Sequence, residues 1–163
     1  MISSEKGVRM IDRRTMMGIA LAAIPAAACS KPAKAMPTVQ VYKSPGCGCC
    51  GAWVESLRAS GFKTVTQDMD DVSAIAAGAG VPEDLRSCHT ALVDGYFIEG
   101  HVPPADLRKL LATRPAARGI VVPGMPLGSP GMEQGGKSEA FETLIVDRQG
   151  QARRFTAHPA KRS

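Results

Sequence analysis

Three cysteines fall within four residues in Ser44-Pro45-Gly46-Cys47-Gly48-Cys49-Cys50-Gly51. Proline and glycine on either side of the thiols demand a tight turn. Ahead of it, Thr38-Val39-Gln40-Val41-Tyr42 alternates and is β-rich, which predicts a strand. Behind it, Cys50, Trp53, Val54 and Leu57 fall on one face of a helix that Gly61 stops. The thiols therefore sit where a helix begins, and the dipole and free backbone N–H groups there favour thiolates. Thiolates in such a place bind a soft metal ion or attack a disulfide. Cys47-Gly48-Cys49-Cys50 has the C-x-x-C spacing of a redox dithiol, with Cys49 as an extra thiol inside it. A third adjacent thiol scrambles exchange partners, whereas it adds a ligand to a metal. The balance tilts towards metal, with Cu(I) and Zn(II) the leading ions. The plainer alternative is buried structural cysteine.

The first 35 residues read as an export signal. Arg13 and Arg14 precede an apolar run from Met16 to Ala28, too short to span a membrane comfortably, and Ala33-Lys34-Ala35 fits a cleavage site. The paired arginines fit a twin-arginine signal imperfectly, because Asp12 precedes them and no lysine follows. Ala26-Ala27-Ala28-Cys29 offers a lipoprotein-type ending, the alternative being that Cys29 is discarded with the signal.

Removing this segment changes the charge argument. The chain has 20 basic and 15 acidic residues, net +5; residues 1–35 hold six and two of these, which leaves 14 against 13. The basic balance belongs mostly to the signal and gives no ground for a nucleic-acid partner. Residues 36–163 are expected to form one domain, large enough to bury a core without disulfide staples.

Within it, Phe62 to Thr66 reads as a second strand, and Asp70 or Asp71 caps a helix carrying Val72, Ile75 and Ala76. Pro82 opens a short helical turn. Thr90–Val93 and Tyr96–Glu99 flank Asp94-Gly95, a strong hairpin signal. Pro103-Pro104 opens a helix with Leu107, Leu110 and Leu111 on one face, ending by Pro115. Strand, helix, strand, helix, hairpin, helix is a thioredoxin-like α/β order, with a mixed sheet and flanking helices. From Gly119 the composition shifts; Pro123 to Gly136 is a loop rich in Met, Pro and Gly, and Phe141–Val146 with Ala152–Phe155 forms a C-terminal hairpin.

Two more groups of residues carry chemistry, Cys88-His89 and the pair Met125 and Met132. Cys88-His89 immediately precedes the hairpin strand; in a thioredoxin-like fold it faces the C-x-x-C turn, where thioredoxins place a proline before Thr. Cys88 would be a fourth thiol, and His89 either a ligand or a histidine hydrogen-bonded to backbone. Met125 and Met132 recur in Pro-Gly-Met-Pro and Pro-Gly-Met-Glu; thioethers bind Cu(I) well and Zn(II) poorly, so they favour copper, the plain alternative being an apolar plug. His101 reads as a turn residue rather than a supporting group. His158 lies in the polar tail and is given no role.

Tyr42–Cys50, Ser87-Cys88-His89-Thr90, Gly100-His101-Val102-Pro103, Val122–Pro126 and Gly128–Glu133 together resemble the CopG-type periplasmic copper-resistance proteins, a family described earlier as a domain of unknown function with predicted metal binding. The resemblance spans Val39 to Phe155. It implies a thioredoxin-derived fold whose cysteines hold a multinuclear copper cluster, and a role in copper resistance that includes Cu(I)/Cu(II) conversion. By position, the ligands would be Cys47, Cys49, Cys50 and Cys88, with Met125 and Met132 as additions. Its partners would be copper ions and other periplasmic copper-handling proteins. Two other functions stay open: a thiol–disulfide oxidoreductase using Cys47 and Cys50, and a zinc module using cysteines and His89.

Overall fold

The computed structural model describes residues 36–160; the expected signal segment and Cys29 lie outside them. The elements in order are β1 (Val39–Lys43), α1 (Gly48–Ala59), β2 (Thr64–Asp68), α2 (Ser73–Ala79), a 3₁₀ turn (Glu83–Leu85), β3 (His89–Val93), β4 (Tyr96–Gly100), α3 (Pro104–Thr113), β5 (Ala117–Val122), β6 (Phe141–Asp147) and β7 (Ala152–His158). All strands join one mixed sheet of order β2-β1-β3-β4-β5-β6-β7. β1 runs parallel to β2 and β4 to β5; the other neighbours are antiparallel. None of the described helices is long and apolar enough to cross a membrane.

Alternating side chains place Val39, Val41, Ala91, Val93, Ile98, Ile120 and Val122 on one sheet face, packed with Trp53 and Leu57 of α1 and with Leu107 and Leu110 of α3. Ala76 of α2 packs with Phe97, Val121 and Val146 in the core of the other face. Trp53 and Leu57 are fully buried, and Trp53 Nε1–H donates to the Val102 carbonyl (2.8 Å). Burying each such side chain contributes about 1.5–3 kcal/mol, against about 1 kcal/mol for a helix cap. The apolar stripe of α1, more than its cap, therefore fixes where the thiols sit.

The Asp94-Gly95 turn forms as the sequence predicts, with both residues at positive φ (48° and 86°), and joins β3 to β4 in two residues. Several expectations shift, among them the second helix, which is Ser73–Ala79 with Val72, and neither Asp70 nor Asp71, at its N-cap. Phe62 is a buried turn residue, and the second strand starts two positions later, at Thr64. The sequence reading places no strand between the third helix and the loop, yet Gly119 lies inside β5, a largely buried strand. A Cβ there would lie 2.1 Å from the Phe97 carbonyl oxygen, so the glycine is required by close approach to β4. Because β5 exists, the C-terminal hairpin continues the main sheet. His158 ends β7 and is no loose tail residue: its Nε2–H donates to buried Asp106 of α3 (2.8 Å), Thr143 Oγ1–H donates to the same oxygen (2.5 Å), and Phe141 stacks on its ring.

Candidate metal centre

Register brings the cysteines together. β1 leads directly into the thiol turn, and its antiparallel pairing with β3 sets Lys43 opposite His89 and Tyr42 opposite Thr90. Cys88, one residue before β3, therefore lies beside the turn. Cys47 caps α1, and its Sγ accepts the Cys50 N–H (3.3 Å). Cys49 Sγ lies 3.5 Å from Cys47 Sγ. Cys50 points into the core, and its Sγ lies 3.7 Å from the Cys88 carbonyl oxygen. The sulfurs of Cys47, Cys49, Cys50 and Cys88 all lie within 4.8 Å of one another. Cys47 and Cys50 are joined by a disulfide, while Cys49 and Cys88 are free and partly exposed.

Behind the sulfurs stand two imidazoles. His89 and His101 are both fully buried. Cys88 Sγ lies 3.5 Å from His89 Nδ1 and 3.5 Å from His101 Nε2. These three form a second, overlapping donor group that shares Cys88. His101 Nδ1 faces the Pro130 carbonyl oxygen (2.8 Å), which only accepts, so the proton sits on Nδ1 and the Nε2 lone pair points at Cys88. His89 is held between Trp53, with ring centroids 4.4 Å apart, and the edge of His101 at 5.1 Å. Its Nε2 is buried with no hydrogen-bond partner.

Burial sets the protonation of these groups. Burial foremost, then His101 and Lys43 nearby, lowers the His89 pKa to about 3, and burial lowers that of His101 as well. Both rings are neutral, the form that binds metal. Burial, followed by repulsion from Cys49, raises the Cys88 thiol to about 11. The sulfur group and the imidazole lone pairs thus meet at Cys88, with no fixed charge among them except what thiolate formation brings.

The Met-rich loop is seated on this group. Gly131, at φ +86°, sits so close to α1 that a Cβ would lie 2.6 Å from the Cys49 carbonyl oxygen and 2.8 Å from the Trp53 nitrogen. Pro130 is held by His101, Gly131 N–H donates to Glu133 (2.7 Å), and Leu127 N–H donates to Glu139 (2.6 Å). Met132 directly follows Gly131 and is partly exposed; Met125 has a left-handed backbone (φ 49°) and is 42% exposed. A loop in place of a helix here follows from its prolines and glycines, and its seat on α1 depends on Gly131 lacking a side chain.

Two residues were missed or undervalued in the sequence. His101 is no surface turn residue; it stands opposite Cys88 when the hairpin register Thr90↔Glu99 is extended two residues outward. Glu99 is fully buried, accepting the Ser87 N–H (2.6 Å) and the Thr90 hydroxyl (2.7 Å), and burial raises its pKa to about 7. A Glu at the end of a strand ordinarily reads as solvated, so no pattern marked it.

Comparison with known proteins adds the lineage. The family model described as a protein of unknown function, DUF411, matches residues 85–132, which contain Cys88, His89, His101 and both loop methionines. Two solved structures titled "Copper resistance protein copG", Form 2 and Form 1, are each 43% identical with a TM-score of 0.72. They cover 76% of this chain and 99% and 98% of their own chains. No curated protein matches. With that identity carried over nearly the whole of both solved chains, this chain belongs to the CopG copper-resistance protein family.

Proposed function

We propose that the chain is an exported, periplasmic copper-binding protein of copper resistance, holding copper ions in a cluster bridged by the sulfurs of Cys47, Cys49, Cys50 and Cys88. Residues 1–35 act as its export signal and residues 36–163 as its copper-binding domain. The convergence of four sulfurs within 4.8 Å carries this proposal. Four thiolates serve several Cu(I) ions when each sulfur bridges, and soft sulfur donors select Cu(I) over harder ions. The residues fit such an occupant on one further count: His89 and His101 are neutral and each lies 3.5 Å from Cys88 Sγ. His89, Met125 and Met132 complete the donor set, the methionines by way of the loop seated on α1.

The scaffold supports a thioredoxin-like origin. β2-β1-β3-β4 has the parallel crossover, the antiparallel hairpin and the closing helix that this arrangement requires. Where such a scaffold would present a proline ahead of Thr90, this chain presents Cys88 and His89, which turns a peptide-facing surface into a donor set. Interconversion of Cu(I) and Cu(II) belongs to the proposal through the family. Because thiolates reduce Cu(II), the sulfurs here favour Cu(I) as the held form.

Substituting Cys88→Ser tests it. Copper per chain, measured after reduction and loading with Cu(I), falls below that of the unaltered protein; unchanged copper content would remove Cys88 from the cluster. A second reading is favoured by one observation, the Cys47–Cys50 disulfide. A thiol–disulfide oxidoreductase would reduce insulin disulfides without metal and lose that activity in Cys47→Ser.

A further inference from the structure

The geometry points to Glu99 as the positioning residue for the Cys88–His89 arm of the site. Glu99 sits on β4, on the strand next to β3, and is fully buried. Its two oxygens divide between the two ends of the arm. One accepts the Ser87 backbone N–H at 2.6 Å and the other accepts the Thr90 hydroxyl at 2.7 Å. Ser87 and Thr90 immediately flank Cys88 and His89. One side chain thus clamps both ends of a four-residue segment whose middle two residues carry a sulfur and an imidazole.

Ser87 and Cys88 precede the first residue of β3, where the ladder offers them no regular partner. The strand alone fixes the backbone only from His89 onward. The clamp supplies what the ladder does not. Gly100 reinforces it: a Cβ there would lie 3.0 Å from Ser87 Oγ and 2.6 Å from the Val122 carbonyl oxygen. β4 and the arm are thereby pressed together beside the clamp. Both carboxylate oxygens are engaged by the arm and Glu99 lies in neither donor group, so it acts through Cys88 and His89. Partners that orient ligands typically govern metal affinity by about 10–100-fold.

This inference rests on the proposal that Cys88 holds copper. A clamp that works by shape and hydrogen bonding has a distinctive consequence. Glu99→Gln keeps it: the amide oxygen accepts the Ser87 N–H, and the amide N–H donates to a rotated Thr90 hydroxyl. Glu99→Ala removes both bonds. Thr90→Val removes one bond at nearly constant volume, and Thr90→Ser restores it.

The test uses the full chain, reduced and metal-free, with two readouts. Cu(I) is titrated against a colorimetric Cu(I) chelator, and the rate of Cys88 alkylation is read by peptide mass mapping. Glu99→Ala and Thr90→Val are expected to weaken Cu(I) binding by about tenfold or more and to speed alkylation of Cys88. Glu99→Gln and Thr90→Ser are expected to match the unaltered protein in both. If Glu99→Ala does not fold, the Thr90 pair carries the comparison. Wild-type values for Thr90→Val would overturn the inference, and so would a Glu99→Gln variant as impaired as Thr90→Val, which would mean that charge acts and not the clamp. Failure of the copper proposal itself is distinguishable: Cys88→Ser would then bind Cu(I) like the unaltered protein, while the alkylation readout would still report on the clamp.

Discussion

The thiols at the start of α1 and the imidazoles behind Cys88 differ first in burial. Cys47, Cys49 and Cys88 are partly exposed, whereas His89 and His101 are fully buried. The sulfur side is open to ions and reductants, and two of its sulfurs are joined in the Cys47–Cys50 disulfide. The imidazole side does not: its rings are wedged against Trp53 and each other, and one is tied to Pro130. The difference teaches a division of labour. In the proposed copper site, the partly exposed sulfurs would be the exchangeable soft donors and the buried, uncharged imidazoles a fixed backing that holds their geometry. Cys88 belongs to both sides, lying in each donor group.

The largest effect expected from breaking this division is at the sulfur side. Cys47→Ser combined with Cys50→Ser removes half of the sulfurs, and copper content after anaerobic loading should fall to near zero. Retained stoichiometry would shift the site to the imidazole side. Next comes His101→Leu, which removes a lone pair aimed at Cys88 and the tie to Pro130. Copper affinity should fall by about 10–100-fold, measured by chelator competition. Gly131→Ala attacks the lid, because φ is +86° and the added Cβ meets the Cys49 carbonyl. The backbone strain alone costs about 1–3 kcal/mol, read as a lower thermal midpoint. Cys49 should alkylate faster as the loop lifts. The smallest change is expected from Trp53→Phe, which keeps an aromatic face against His89. Copper content should stay constant; the chain's only tryptophan, 4.4 Å from His89, should be quenched on copper loading of the unaltered protein, a signal the variant lacks.

Much of the sulfur side was legible in the sequence. Glycine and proline around Cys47, Cys49 and Cys50, a β-rich run before them and the Cys50–Trp53–Val54–Leu57 stripe behind them define a strand, a turn and a helix without long-range information. Cys88 was reachable because the Asp94-Gly95 turn places its strand in the order. The imidazole side was harder. His101 follows from arithmetic on that same turn, since a two-residue loop pairing Val93 with Tyr96 sets position 88 opposite 101. Whether the opposed side chains meet depends on twist and burial, and neither is written in the local pattern. Glu99 was invisible because its partners are a backbone N–H and a hydroxyl on another strand. β5 was lost for a related reason: Arg118 and Gly119 interrupt its apolar run, and the need for glycine arises only where β5 meets Phe97. Local signals report turns and faces, while close approaches between strands appear only once the sheet is assembled.

Whether the four sulfurs hold copper together is the decisive property of this site. The most direct measurement is copper per chain in the reduced, Cu(I)-loaded protein, paired with mass mapping of which cysteines resist alkylation. Several coppers per chain are expected, with Cys47, Cys49, Cys50 and Cys88 all protected. A protein that emerges without copper, with Cys49 and Cys88 freely alkylated and the Cys47–Cys50 disulfide re-formed, would contradict it.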